Sequence, residues 1–147
     1  MTGAADSIPG SPGPVRRLID TVAWVHLRDG VILGARTRGK DLFYIPGGKR
    51  HAGESDEQTL LREVEEELTV AIVPGTVAHV GTYEAPVDAD SPQVVVRMAC
   101  YTGDYRGTLA AAGEIEEIRL LSYADRDLVP PVDQLVFDEL HAAGRLS

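Results

Sequence analysis

Residues 48–70 read GKRHAGESDEQTLLREVEEELTV, and the fold of the chain turns on this stretch. Its second half carries the strongest helical signature in the sequence. Ser55 followed by Gln58 is a capping box, and Asp56 and Glu57 place negative charge on the first turn. At about 100° per residue, Leu60, Leu61, Val64 and Leu68 share one arc. The spacing predicts a helix over 55–68 that buries this arc against a sheet. Glu63, Glu66 and Glu67 fall on the adjacent arc, at i, i+3 and i+4. Like charges so placed repel by about 0.2–0.5 kcal/mol per pair, and they crowd the last turn, where the helix dipole is already negative. Such a cluster is either a solvated acidic face or a site that awaits positive charge.

Immediately before the helix lies PGGKRHAGE, in which Gly47 and Gly48 can bring a bare carbonyl close to a ligand. A loop folded back on a carboxylate face makes an oxygen-lined site. Hard divalent cations prefer such sites, and Mg²⁺ usually shares its coordination with waters and substrate phosphates.

The whole stretch from Gly48 to Val70 closely resembles the Nudix box, G-x(5)-E-x(7)-R-E-U-x-E-E-x-G-U with U aliphatic. Gly48, Glu54, Arg62, Glu63, Val64, Glu66, Glu67 and Val70 are all in register. The resemblance implies a Nudix-type α/β/α sandwich with a mixed β-sheet. It also implies hydrolysis of the pyrophosphate linkage in a nucleoside diphosphate joined to another moiety, with Mg²⁺ as cofactor and Mn²⁺ as a substitute. By position it makes Glu63, Glu66 and Glu67 the catalytic metal-binding carboxylates and the Gly48 carbonyl a further ligand. Glu63 is the preferred general base. Glu54 and Arg62 become a structural pair that holds loop to helix, and Glu65 takes the free position, facing solvent. Thr69 departs from the pattern, standing where the box has glycine. A β-branched residue disfavours the left-handed conformation that often ends a helix, so another kind of stop is expected there.

The remaining sequence bounds this reading. A chain of 147 residues with 44% hydrophobic and 25% charged content suits one domain with a real core. We divide it into a disordered tail, 1–14, rich in Gly, Pro and Ser, and a single domain, 15–147. The balance of 14 basic against 23 acidic residues gives a net charge of −9, which disfavours nucleic acid and anionic membranes as partners. No apolar run approaches the roughly 20 residues that span a bilayer, and no secretory signal opens the chain, so a cytoplasmic protein is expected. Cys100 is the only cysteine and is read as a buried strand residue. The expected partner is a small-molecule nucleotide, with a homodimer left open.

Outside the box, RLIDTVAWVHLRDG and VILGARTRG read as two strands joined by an Asp29-Gly30 hairpin turn, and LFYIP as a further apolar run. VAIVPGTVAHVGTYEAPV, VVVRMACYTGDY and EIEEIRLLSYAD are strand-like. A final helix is predicted from about Val132 through His141, with Val132, Leu135, Val136 and Leu140 as its apolar stripe. Mixed strands with two helices make an α/β domain.

Several further residues are candidates for the site. Arg36, Arg38, Lys40, Lys49 and Arg50 cluster around the box in an otherwise acidic chain. They are read either as surface charge or as phosphate contacts, with Arg36, Arg38 and Lys49 carried as substrate-binding residues. Phe43 and Tyr44, just before the glycine loop, are candidates for the base side, where a strand would let only one face the pocket. Trp24, Phe43, Tyr44 and Tyr83 are all read as core aromatics first and stacking partners second. Among Glu114, Glu116 and Glu117, Glu117 is chosen as the late acid that many Nudix enzymes use as an extra metal ligand, although alternation puts it on the face of Ile115. Pro86 loosely matches a downstream proline of Nudix enzymes that act on ADP-ribose. His26, His51, His79 and His141 lack metal-ligand spacing. The substrate class stays open between nucleoside triphosphates, including oxidised ones, and ADP-ribose-like molecules. A non-catalytic nucleotide sensor is the alternative, set against the retention of every box carboxylate.

Overall fold

In the computed structural model, which describes residues 16–147, the layers follow from one strand, β1 (Arg17–Trp24). Successive side chains of a strand point to opposite faces. Val22 and Trp24 therefore enter one buried cluster while Ala23 and Val25 enter another. A strand buried on both faces needs cover on both sides, and two helices provide it. Helix α1 (Asp56–Leu68) lays Leu60, Val64 and Leu68 on Val22 and Trp24. Helix α2 (Pro131–Ala142) lays Val132, Val136, Phe137 and Leu140 on the opposite cluster. The expected tail, 1–14, falls outside the described residues.

The neighbours of β1 make its sheet mixed. It pairs antiparallel with β4 (Gly47–Lys49) and parallel with β7 (Val94–Thr102), on which β6 (Ala78–Pro86) closes antiparallel, giving the order β4-β1-β7-β6. A second, antiparallel sheet holds β2 (Leu27–Arg28), β3 (Val31–Thr37) and β9 (Ile115–Leu121), and β5 (Ala71–Ile72) pairs with β8 (Tyr105–Arg106). The result is the α/β sandwich with a mixed sheet expected from the sequence. No helix of the described residues is long and apolar enough to cross a membrane.

Four local expectations need correction. Asp29 and Gly30 do form the turn, with φ of 51° and 82° as a two-residue hairpin turn demands, but it joins only β2 to β3. The long run before it breaks after Trp24, so that β1 pairs in the other sheet. LFYIP is not a strand. It crosses between the sheets, bonded through the Ala35–Tyr44 bridge, Phe43 N–H to Leu128 O (2.8 Å) and Ile45 N–H to Asp133 Oδ2 (2.8 Å). The strand-like run into SYAD ends at Leu121, and Tyr123–Leu128 turn into a short 3₁₀ helix whose entry is tied by Ser122 N–H to Asp125 Oδ2 (2.9 Å). In α2, Leu135 is exposed and the buried stripe is Val132, Asp133, Val136, Phe137 and Leu140.

Helix α1 begins as predicted. Gln58 N–H bonds Ser55 Oγ (3.1 Å), and Ser55 N–H bonds Gln58 Oε1 (2.9 Å). Its end differs from the expectation. Thr69 itself adopts the left-handed conformation, φ 63° and ψ 17°, and its N–H bonds Glu65 O. The strain is offset by the segment 107–113, which wraps the helix end: Thr69 Oγ1 donates to Thr108 O (2.9 Å), Ala110 N–H to Leu68 O (3.1 Å) and Ala112 N–H to Glu67 O (3.0 Å). Carbonyls that a helix leaves unpaired at its C-terminus are thereby satisfied.

Candidate active site

Gly47 is required by its close approach to the β1 backbone, and Gly48 lies against the movable end of a side chain of α1. A Cβ on Gly47 would lie 2.0 Å from Val22 O, and one on Gly48 would lie 2.5 Å from the Glu63 carboxyl. The loop backbone thus presses directly on the acidic face of α1. Gly47 N–H donates to Glu67 Oε1 (3.2 Å), which joins β4 to the last turn of the helix.

Arg62 organises the carboxylates. Its Nε and Nη2 bond Glu54 Oε2 (2.7 Å) and Oε1 (2.9 Å) in a two-pronged pair, and Nη2 also reaches Lys49 O (3.2 Å). Nη1 bonds Glu63 Oε2 (2.9 Å) and Glu66 Oε1 (3.2 Å). Glu54 accepts further from His51 N–H (2.8 Å) and the Thr59 hydroxyl (2.9 Å), so Arg62 first and these donors next hold its carboxyl far below the usual range. Glu67 is displaced the other way. Burial, and then the charge of Glu63, push its pKa up to about 8 against the opposing Gly47 N–H, with Glu66 and Glu114 adding to the rise. Negative charge is concentrated here beyond what Arg62 neutralises.

Among the described residues no three acidic, histidine or cysteine side chains are grouped so that they could hold a metal ion, and Glu63 and Glu66 each give an oxygen to Arg62. The donor set nevertheless fits a hard divalent ion. All its donors are oxygens, the missing side chain of Gly48 lets the loop backbone lie against the Glu63 carboxyl, and the excess charge favours a cation.

A cleft of about 370 Å³ opens beside this face and runs between the two sheets. Gly48, Lys49 and Glu67 line it, as do Tyr44, Ile45 and Asp133. Asp133, in the first turn of α2, is 1% exposed, and burial pushes its pKa up to about 7 against the bond from Ile45 N–H. Sequence reasoning missed it. The available signal was an acid on the arc of Val132, Val136 and Phe137, where a polar side chain has to be either solvated or used.

The other candidates separate. Tyr44, 41% exposed, lines the cleft, whereas Phe43 is buried in the core under the Arg119 guanidinium, 4.7 Å from its ring centroid. Lys40 and Lys49 line the cleft. Arg36 is engaged by Glu116 (2.9 Å) and Glu117 (3.2 Å), and Arg38 is exposed, its N–H bonding Glu114 O. Glu117 is held by Arg36 and Arg119, which lower its pKa, while Glu114 is the late acid whose charge reaches Glu67. Trp24 is fully buried with its Nε1 donating to Gly103 O (3.1 Å), and Tyr83 packs on the α2-side core. Cys100 is buried, as read from the sequence.

Comparison with known proteins agrees with this fold. The family model of the NUDIX domain matches residues 16–139. The CTP pyrophosphohydrolase of Escherichia coli (strain K12) is 35% identical over 100 residues, which are 65% of this chain and 70% of that protein. The solution structure of the E. coli ORF135 protein superposes with a TM-score of 0.68 at 28% identity, over 89% of this chain and 97% of that one. The MutT protein of Methanosarcina mazei Go1 shares the fold, with a TM-score of 0.69 at 20% identity over 90% and 99% of the two chains.

Proposed function

The chain belongs to the Nudix family and is a Nudix pyrophosphohydrolase, and from that premise we propose that it cleaves the triphosphate of a cytosine nucleotide with the help of a divalent metal ion. The observation that carries the base assignment is Asp133, a buried carboxyl lining the cleft with one oxygen held by Ile45 N–H. Cytosine presents an amino donor that a carboxylate accepts, whereas uracil and thymine present a carbonyl there. The name of the E. coli relative, CTP pyrophosphohydrolase, supports the same choice.

In this reading Glu63, Glu66, Glu67 and the Gly48 carbonyl would hold the metal, with Mg²⁺ as the working ion. When bound, that ion neutralises diphosphate charge and lowers the pKa of a coordinated water. The protein's own groups do the rest. Arg62 and Glu54 keep loop and helix together, so that the carboxylates meet the substrate in a fixed arrangement. Lys40 and Lys49 supply positive charge along the cleft for the phosphates, and Tyr44 covers the nucleoside. Asp133 orients the base and, through it, the scissile linkage.

The test is a panel of CTP, dCTP, UTP, ATP, GTP and ADP-ribose with Mg²⁺, scored for released pyrophosphate or phosphate. CTP or dCTP should have the highest kcat/KM, and Asp133→Ala should lower it by at least about tenfold while leaving UTP within a few fold. A purine preference, or an unchanged CTP to UTP ratio in the variant, would refute the base assignment. Glu66→Gln and Glu67→Gln should each cut turnover at least about a hundredfold with the fold intact by circular dichroism. Full Mg²⁺-dependent activity in both would sink the ligand assignment.

A further inference from the structure

The glycines that let β4 approach α1 carry no side chains, so the strand is held there through its backbone alone, by Gly47 N–H to Glu67 Oε1 and by Arg62 to Lys49 O. Sterics exclude a side chain at Gly47 without holding the backbone in place. The strand also lies at the edge of its sheet, with β1 on one side only and just three residues in register, from Ala23↔Gly47 to Thr21↔Lys49. Edge strands rich in glycine have weakly specified positions. Extending the pairing by one residue sets Arg50 opposite Asp20.

Arg50 supplies a side-chain anchor at the end of the strand. Its Nη2 donates to Asp20 Oδ2 on β1, and its Nη1 donates to Asp56 Oδ1 in the first turn of α1. The other oxygen of Asp56 accepts from the Tyr101 hydroxyl on β7. One guanidinium thus ties the end of β4 to the sheet and to the helix at once. Arg50 is absent from the residues that line the cleft, and both terminal nitrogens are engaged, so it is not placed as a phosphate contact.

We propose that Arg50 is a positioning residue: it sets the separation between Gly48 on β4 and the glutamates of α1, and through it the affinity for the metal and the rate of the chemical step. Arg62 with Glu54 ties the carboxylate side of the loop to the helix, and Arg50 with Asp20 and Asp56 ties its sheet side. Loss of the sheet-side tie leaves each glutamate chemically intact but frees the Gly48 carbonyl to drift from them. The proposal rests on the assignment of Gly48 and the three glutamates as the metal site.

Arg50→Met keeps most of the stem and removes both ion pairs. Two quantities are read on folded protein: Mn²⁺ binding to the substrate-free protein, followed by electron paramagnetic resonance of the free ion, and kcat against KM for CTP with Mg²⁺. The variant should bind Mn²⁺ about tenfold more weakly and lose about tenfold in kcat, with KM changed far less. Arg50→Lys, which reaches one carboxylate at a time, should fall between. A lower melting temperature with unchanged Mn²⁺ affinity and kcat would show a purely structural role and overturn the proposal. If Arg50→Met does not fold, Tyr101→Phe removes only the hydroxyl bond to Asp56 and should shift both quantities in the same direction by a smaller factor; no shift in either overturns it. Glu67→Gln in the same Mn²⁺ titration separates the two assignments. Undiminished binding there refutes the metal site itself, whereas binding lost in Glu67→Gln and normal in Arg50→Met refutes Arg50 alone.

Discussion

Asp133 is a carboxyl that burial holds up near neutral pH, at about 7 against an ordinary 3.8. The folded protein therefore binds that proton more tightly than the unfolded chain does. This contribution to stability is fully present below the unfolded value and is lost as pH rises through the folded one. Asn at the same position keeps the shape and does not titrate. The melting temperature of Asp133→Asn minus that of the wild type should accordingly increase between about pH 4 and about pH 7 and level off above it. A difference that stays flat across that range would place the titration elsewhere. Thr69 shows the complementary lesson at this scale. Its left-handed φ of 63° is disfavoured for a β-branched residue, yet its hydroxyl bonds Thr108 O and the segment around it satisfies the neighbouring carbonyls. A local rule that predicted another kind of stop was outweighed by partners distant in sequence.

At the scale of elements, the crossing segment LFYIP decides which aromatic serves the cleft. Strand alternation alone would have allowed either neighbour. The backbone bonds of Phe43, Tyr44 and Ile45 to Leu128, Ala35 and Asp133 turn Phe43 into the core and leave Tyr44 at the cleft. Phe43→Ala should cost about 3–5 kcal/mol of stability in denaturant unfolding, the usual range for removing a buried phenylalanine. Tyr44→Ala should lower stability much less and change the ratio of kcat/KM between cytosine and purine nucleotides. Equal ratios in the wild type and the folded Tyr44 variant would move nucleoside recognition away from this wall.

For the whole molecule, a formal charge of −9 is spread over a surface on which several cations are already paired. On the proposed assignment, a divalent ion at the acidic face of α1 would relieve repulsion among Glu63, Glu66 and Glu67. Ligands that bind only the native state stabilise it by mass action, so millimolar-range Mg²⁺ should raise the melting temperature by about 2–5 °C. Sodium chloride of equal ionic strength should not match it, and Glu67→Gln should shrink the shift. The effect is modest because Arg62 already occupies oxygens of Glu63 and Glu66. A melting temperature indifferent to Mg²⁺, in a protein that needs it for turnover, would mean that the ligands assemble only with substrate.

Local information determined the capped helix 55–68, its apolar and acidic arcs, the Asp29-Gly30 turn and the close loop of Gly47 and Gly48, because each depends on residues within a few positions of one another. The ordered motif from Gly48 to Val70 was likewise legible as a unit. Only the tertiary structure decided that β1 and β2 belong to different sheets, that Glu117 is held by Arg36 and Arg119, and that Arg50 bridges β1 and α1. It also brought Asp133 from the far end of the chain onto Ile45, a hydrogen bond between residues 88 positions apart. Pairings of this kind are chosen by burial and by the need of buried polar groups for partners, and neither is defined until the layers have packed.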